Sequence, residues 1–229
     1  DAVMRFKKLF LWDLRFQAKY GFYFLYTVLT VIYVTVLFAL PESWQEKAAA
    51  ILIFSDPAAM GLFFMGAIVL LEKSQNTPCA LAVSPVRASE YIIAKIGSLS
   101  VVSLVVAAVL AFAAGVENLY MVLSGTLIAS VIFTLSGIIV AIRITSLNQF
   151  ILWTVPVEAV CFVPAVLHLF QITPAWCGYY PANVCMDMIS GHSSTVTGFF
   201  GVAALTVILL VLAGGSICRM WDSMGGGKL

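Results

Sequence analysis

Residues 22–40 read FYFLYTVLTVIYVTVLFAL, nineteen residues without a charged side chain. An α-helix of about 20 apolar residues crosses the hydrocarbon core of a bilayer, and it satisfies its own backbone hydrogen bonds there. This stretch therefore predicts a transmembrane helix. A transmembrane β-strand would instead need about 10 residues of alternating polarity, a pattern that the stretch lacks.

Five further apolar stretches of similar length follow along the chain. They are residues 51–71, 92–114, 120–142, 150–170 and 196–217. The six stretches, numbered here as spans one to six, predict an all-α polytopic membrane protein. We expect residues 1–229 to form one transmembrane domain, in which residues 1–20 are an interfacial helix ahead of span one. Small residues in spans three and four, Gly137 among them, would let helices approach closely.

The composition of the whole chain agrees with a membrane protein. Of its 229 residues, 62% are hydrophobic and only 10% are charged. Soluble domains average about 45–50% apolar and about 25% charged residues. A soluble fold of this size cannot bury so much apolar surface in one core, so a soluble enzyme, a nucleic-acid-binding protein and a disordered chain are excluded. The net charge of +1 points to no particular partner.

Lys and Arg are concentrated on one side of the six spans. Eleven of the twelve lie on the side of the two termini, and only Lys47 lies on the other. By the positive-inside rule, both termini are expected in the cytoplasm, and the protein in the inner or plasma membrane of the cell. No small-residue cleavage site follows a short apolar region, so the N-terminus is not expected to be a cleaved signal peptide.

Two proline pairs punctuate the segment between spans two and three. Thr77-Pro78 and Ser84-Pro85 each place a capping side chain before a proline at the first helical position. They predict a short helix over residues 78–83, a break, and then a second helix that runs into span three. A short helix of this kind between two spans is typical of a docking element.

Three stretches here resemble a known family. Residues 71–77 read LEKSQNT, residues 80–86 read ALAVSPV and residues 90–95 read EYIIAK. The pattern is similar to the membrane subunits of type-2 ABC exporters, the ABC-2 permeases. In that family a Glu closes span two, a polar Gly-Thr turn follows, and an L-x-V-S-P segment precedes a Glu and a Lys at the start of span three. This sequence has Asn76 where Gly is usual, and Pro78 is uncommon there. Residues 180–182 and 188–191 are similar to the family's segment between spans five and six.

The resemblance implies the permease subunit of a drug, antibiotic or polysaccharide exporter. ATP and Mg²⁺ would bind to a separate ATPase subunit, so this chain would hold no cofactor and would not itself be an enzyme. It would work as a dimer with a second copy or a paralogue, in the lipid bilayer and without nucleic acid. Residues 78–83 would be the coupling helix. The residues implied at the contact with the ATPase are Glu72, Lys73, Thr77, Pro78, Leu81, Ser84, Pro85 and Arg87.

The N-terminal segment is expected to be the interfacial helix of such a permease. Its cations are spaced to share one helix face: Arg5, Lys8, Arg15 and Lys19. Its apolar side chains are expected to enter the bilayer: Phe6, Leu9, Phe10 and Phe16. A helix of this composition lies on an anionic leaflet. The alternative is a plain positive-inside anchor for span one.

Ionisable residues are rare within the spans. Glu158 lies near the middle of span five, where a carboxylate is costly and usually faces a cavity or a partner. It would contact the cargo, or it would be a protonated or hydrogen-bonded structural group next to Pro156. Asp56, followed by Pro57, is expected to cap the outer start of span two. His168 lacks neighbouring ligand residues, so a metal site is not expected. The sparse charge favours a hydrophobic or amphipathic cargo.

The loop over residues 171–195 carries few charges and several aromatic residues. It predicts a segment that turns back into the outer leaflet and packs against protein, and the alternative is an amphipathic surface loop. Cys177 and Cys185 both fall here, on the oxidising side. A disulfide between them and two free thiols are both compatible with the spacing.

The sequence argues against three other functions to different degrees. The run at residues 225–228, GGGK, lacks the earlier Gly and the Ser or Thr of a P-loop. Ser136-Gly137 lacks the preceding Gly of a rhomboid-type protease, and His168 falls on the wrong span for its base. An ion-coupled secondary transporter remains the alternative, although no internal repeat favours it.

Overall fold

The computed structural model describes residues 2–192 and 196–223. The run at residues 225–228, which fails as a P-loop, lies outside the described residues, and so do residues 193–195 at the end of the long loop.

The described residues form helices and short turns, and no strand occurs among them. Ahead of the spans lies α1 (Ala2–Lys19), and the first span is α2 (Phe22–Ala39). The second span consists of α3 (Glu42–Ala58), a π-helical segment (Ala59–Phe64) and α4 (Met65–Ser74). The remaining elements are α5 (Thr77–Ala82), α6 (Ala88–Ala113), α7 (Leu119–Arg143), α8 (Leu147–Leu169), a 3-10 turn (Ala175–Tyr179), α9 (Pro181–Ile189) and α10 (Val196–Ser223).

Six helical stretches of the described residues are long and apolar enough to cross a membrane. They are α2, the continuous second span, α6, α7, α8 and α10. The prediction of an all-α polytopic membrane protein is confirmed. The helices extend beyond the apolar stretches of the sequence: α6 begins four residues before residue 92, and α10 ends six residues after residue 217. Hydropathy marks only the part of a helix that lies in hydrocarbon.

The second span differs most from its prediction. It begins at Glu42 rather than at residue 51, and Pro57 lies inside α3. Asp56 therefore does not cap the span, and that expectation is wrong: its side chain is 3% exposed in the middle of the helix. A proline removes only one helical hydrogen bond, and the chain continues directly into the π-helical segment.

The second span and α7 form the centre of the bundle, while α2, α8 and α10 expose most of their apolar side chains. Two glycines let the two central helices touch. A methyl group on Gly137 would lie 2.0 Å from the carbonyl oxygen of Gly61, and one on Gly61 would lie 2.6 Å from the backbone of Phe133. Only hydrogen fits at either position, as is usual where helices cross closely in membranes.

The two ends of the bundle differ in character. The end formed by α1, α5 and the start of α6 is called the basic end below. At the opposite end, the 3-10 turn leads into α9, a short helix whose side chains are nearly all buried against the spans. Cys185 lies in that core and Cys177 lies in the turn. Both are free thiols in the structure, so the disulfide considered from the sequence is not formed.

Candidate functional site

The segment implied to couple to an ATPase contains a short helix. This helix, α5, spans Thr77–Ala82, one residue earlier than expected. Asn76 precedes it with a φ of 56°, in the left-handed region that Gly and Asn adopt most readily. Asn76 can therefore form the turn that a glycine usually forms in the ABC-2 permeases that this sequence resembles.

The structure divides the implied contact residues by exposure. Pro85 and Arg87 are exposed, while Glu72 and Pro78 are buried. The others, Lys73, Thr77, Leu81 and Ser84, are half-buried. Val83 is 81% exposed, although it is apolar. With Ala80, Pro85 and Arg87 it forms the exposed part of this segment, named here the coupling surface. The sequence neighbours of Val83 over residues 80–86 (ALAVSPV) are themselves mostly apolar, so no local signal in the sequence marks it.

Glu72 belongs to a fully buried charge network at the basic end. The Lys95 ammonium lies 2.5 Å from Asp13 Oδ1 and also bonds Glu72 Oε1. The Tyr91 hydroxyl donates to Glu72 Oε2 at 2.6 Å. Asp13, Glu72, Tyr91 and Lys95 are named here the Lys95 cluster. It joins α1, α4 and α6, three elements that are remote in sequence.

The chemistry of the Lys95 cluster is that of a structural joint. Its one cation serves two carboxylates, and the rings of Trp12 and Tyr91 lie 5.5 and 5.2 Å from the Lys95 ammonium. Burial raises the pKa of Asp13 to about 6, although Lys95 acts to lower it. Removing one member of a buried ion pair leaves an uncompensated charge at a cost of about 3–5 kcal/mol. The cluster therefore holds α1 firmly against the spans.

The faces of α1 are arranged differently from the expectation. Phe16 is buried, and the ring of Phe10 packs on Gly97 of α6, so these two rings face protein rather than lipid. Gln17 donates to Ser98 at 3.0 Å on the same side. Exposed apolar side chains on another side are those of Val3, Met4 and Leu11. The predicted basic face exists: Lys8, Arg15 and Lys19 are exposed, and Arg5 pairs with Glu90 at 3.0 Å.

Lys73 has a different task from its neighbour Glu72. Its ammonium donates to the carbonyl oxygens of Ala141, Ile142 and Ile144 at 2.8–2.9 Å. These carbonyls lie at the C-terminal end of α7. Lys73 therefore caps that helix, and its positive charge interacts favourably with the negative end of the helix dipole. Lys73 thus fastens the second span to the fourth.

A second buried carboxylate lies deep in the second span. Asp56 lies nine residues after Lys47 and sixteen residues before Glu72. At the rise of an α-helix, it is about 14 Å along the helix axis from Lys47 and about 24 Å from Glu72. Its Oδ2 atom has no hydrogen-bond partner. The hydroxyls of Ser103 on α6 and Tyr26 on α2 are also buried without partners. These three residues are named here the Asp56 cluster.

Glu158, the expected intramembrane carboxylate, lies inside α8 between Pro156 and Pro164. Its side chain is half-buried and forms no ion pair with any of the described residues. His168, at the other end of the bundle, bonds Thr173 at 2.9 Å through Nδ1 and lies 3.1 Å from Asp187 through Nε2. It joins α8 to α9.

Comparison with known proteins assigns the chain to a family. The model of the fluoroquinolones export permease protein family matches residues 4–215. The chain belongs to this family. The expectation of an ABC-2-type drug-exporter permease is thereby confirmed.

Two curated relatives carry the same description. They are fluoroquinolones export permease proteins of Mycobacterium tuberculosis, from strains CDC 1551 / Oshkosh and H37Rv. Each is 30% identical over 146 residues, which is 63% of this chain and 62% of the relative. The chain thus matches less than two thirds of the length of these relatives.

Proposed function

We propose that this chain is the permease subunit of an ATP-driven exporter that moves a hydrophobic or amphipathic small molecule out of the cytoplasm. Membership of a drug-export permease family supports this class of cargo. The observation that carries the proposal is the coupling surface. Val83 is exposed there at the end of a short helix, and the buried Lys95 cluster lies nearby and connects α1, α4 and α6.

A separate ATPase subunit, with ATP and Mg²⁺ bound, would dock on the coupling surface. Docking would bury the exposed apolar side chain of Val83, as the centre of an interface buries its apolar side chains. A movement of α5 would be transmitted to α4, the last part of the second span. The Lys95 cluster would transmit this movement to α1 and α6, and Lys73 would transmit it to α7. Glu72 and Lys73 would therefore act as positioning residues behind the docking surface.

The basic end would face the cytoplasm, with both termini on that side of the cell membrane. The exposed cations Lys8, Arg15 and Lys19 would then lie at the anionic headgroups, beside the exposed apolar flank of α1. This arrangement supports the interfacial role of the N-terminal helix rather than that of a plain anchor.

A second permease copy or a paralogue would complete the transporter. Glu158 supports this proposal, because a half-buried carboxylate cannot favourably face hydrocarbon and needs a cavity or a partner. Glu158 would lie on the cargo pathway between the two subunits. We expect Glu158→Gln to reduce export while leaving thermal stability unchanged. Unchanged export would remove Glu158 from the pathway.

The test of coupling uses two equally exposed valines at the basic end. Val83 is 81% exposed on the coupling surface, and Val3 is 80% exposed on α1. We expect Val83→Ser to weaken co-purification with the ATPase about tenfold and to lower cargo-stimulated ATP hydrolysis. Val3→Ser, the control, should leave both unchanged. Export by the permease alone, driven by an ion gradient in liposomes without any ATPase, would instead establish a secondary transporter.

A further inference from the structure

The Asp56 cluster contains three buried polar side chains, each with an atom that lacks a hydrogen-bond partner. Its members come from three spans, and each is almost fully buried: Asp56 is 3% exposed, Ser103 is 0% exposed and Tyr26 is 4% exposed. Several other buried hydroxyls in the spans find partners, although that of Thr134 on α7 does not. Ser100 and Ser130 bond each other at 3.0 Å, and Thr126 bonds the carbonyl of Val122 at 2.8 Å. Buried atoms without a partner also occur on Gln17, Thr134, Asn183 and Trp221, but none of those residues is a carboxylate.

Unpaired polar atoms are costly in a membrane. A buried hydroxyl without a partner costs free energy, and a carboxylate costs more unless its charge is neutralised. Among residues 2–192 and 196–223, no Lys, Arg or His forms an ion pair with Asp56. The side chains that surround it are uncharged: Ser103 on α6, with Tyr26 and Tyr33 on α2 within electrostatic range. Among the described residues no cation balances a charge on Asp56, so either a proton or a bound cation would neutralise it.

The atoms of the cluster define what would balance it. They are a carboxylate oxygen, which only accepts hydrogen bonds, and two hydroxyl oxygens, which can accept them. A protonated amine supplies one positive charge and two or three N–H donors. It would satisfy the carboxylate and the hydroxyls together, and hydrogen bonds to a charged group are the stronger ones.

A cavity lies next to the cluster. Its volume is about 500 Å³, it lies between α2 and α6, and Tyr26 forms one of its walls. The other walls are largely apolar, and Val31, Val101 and Val105 are exposed at its rim. The cavity is thus open towards lipid. An amphipathic molecule could place its apolar body here with its amine directed past Tyr26 towards Asp56.

The backbone beside Asp56 is also unusual. Pro57 follows it, and the π-helical segment begins two residues later at Ala59. Segments of π-helix are rare and occur frequently at functional sites. This irregularity lies on the same helix as the unpaired carboxylate and gives independent support to a site there.

We propose that Asp56, Ser103 and Tyr26 bind the protonated amine of an amphipathic cargo inside the membrane, with the apolar body of the cargo in the adjoining cavity. This inference rests on the proposed function, because it assumes that the permease binds such a cargo. Without cargo, a proton on the carboxyl group neutralises Asp56. When the ammonium group binds, that O–H bond breaks and the proton leaves to water.

The test compares two probes that differ at one amine. One is a fluoroquinolone with a basic secondary amine, and the other is its N-acetyl derivative, which keeps the ring system and loses the cation. Binding to the purified full chain in lipid nanodiscs is measured by equilibrium dialysis. We expect the amine to bind about 10- to 100-fold more tightly than the acetylated probe, as for a charge-assisted hydrogen bond. Asp56→Asn should abolish this preference, while Glu117→Gln, at an exposed carboxylate, should keep it.

Further variants guard against a folding defect in Asp56→Asn. Ser103→Ala and Tyr26→Phe each remove one hydroxyl, and we expect each to reduce the preference about threefold. Equal binding of both probes by the wild type, or an unchanged preference in Asp56→Asn, would overturn the site alone. The proposed amine site would also be overturned if the amine probe bound more tightly than the acetylated probe in choline chloride but not in sodium chloride. An inorganic cation would then be the occupant. A wild type that binds neither probe would overturn the cargo class itself.

Discussion

Glu72 and Asp56 lie sixteen residues apart on the same membrane span, and both are buried carboxylates. Glu72 bonds the Lys95 ammonium and the Tyr91 hydroxyl, so its charge is balanced within the chain. Asp56 has only hydroxyl neighbours, and one of its oxygens has no partner. Both residues carry a carboxyl group and are nearly equally buried, but only Glu72 has a cation of the chain bound to it.

This difference separates structure from function. Burial of a carboxylate shows that its charge must be neutralised, but it does not show what neutralises it. Where the chain supplies the cation, as at Glu72, the group joins helices together. Where the chain supplies none, as at Asp56, the group is available to a proton or to the cation of a ligand. Each test below changes one side of this comparison.

The largest effect is expected at Lys95. Lys95→Met leaves Glu72 and Asp13 buried without their shared cation, so we expect a loss of about 3–5 kcal/mol in the free energy of unfolding. Thermal melting in detergent measures it. Lys8→Met removes an exposed cation at the same end and should have little effect. Equal melting temperatures for the two variants would show that the Lys95 cluster is not a joint.

A direct contrast comes from neutralising each carboxylate. Glu72→Gln loses a charged hydrogen bond and should cost about 1.5–3 kcal/mol of stability. Asp56→Asn loses no ion pair among the described residues and keeps an oxygen that can accept a hydrogen bond from Ser103, so its melting temperature should equal that of the wild type or exceed it. If Asp56→Asn proved the more destabilising of the two, Asp56 would have a structural partner and the comparison would fail.

The helix that carries both carboxylates depends on its contact with α7. Gly137→Ala forces a methyl group to within 2.0 Å of the Gly61 carbonyl oxygen, and overpacking of this kind costs about 1–3 kcal/mol. Gly215→Ala is the matched control, because no atom lies within 4 Å of the added methyl group on α10. The expected order of melting temperatures places the Gly137 variant lowest, and similar values for both would contradict the close crossing.

The smallest effect concerns pH. The pKa of Asp13 is raised from 3.8 to about 6, so the folded protein holds a proton on this group more tightly than the unfolded chain does. Its contribution to stability is therefore greatest below about pH 4 and is lost as the pH rises to about 6. We expect the melting temperature of the wild type, relative to Asp13→Asn, to fall over this interval. Parallel curves would exclude Asp13 as a titrating member of the cluster.

Much of the fold could be predicted from the sequence, because hydropathy and helix length are local properties. The six spans, the basic face of α1 and the short helix after Thr77 all follow from nearby residues. Asp56 was misplaced because Asp-Pro reads as a helix start, whereas the structure continues the helix through a π-helical segment. Asp13 was missed because its partner Lys95 is remote in sequence. The exposure of Val83 could not be predicted, because the residues around it (ALAVSPV over residues 80–86) are mostly apolar and do not single it out.

The most direct measurement is infrared difference spectroscopy of the Asp56 carboxyl group in nanodiscs. On addition of the amine probe to the wild type, we predict loss of a carboxylic-acid C=O band and gain of a carboxylate band. Both changes should persist in Glu117→Gln and disappear in Asp56→Asn. A wild-type spectrum in which the probe changes neither band, or the same change in Asp56→Asn, would contradict a cation site at Asp56.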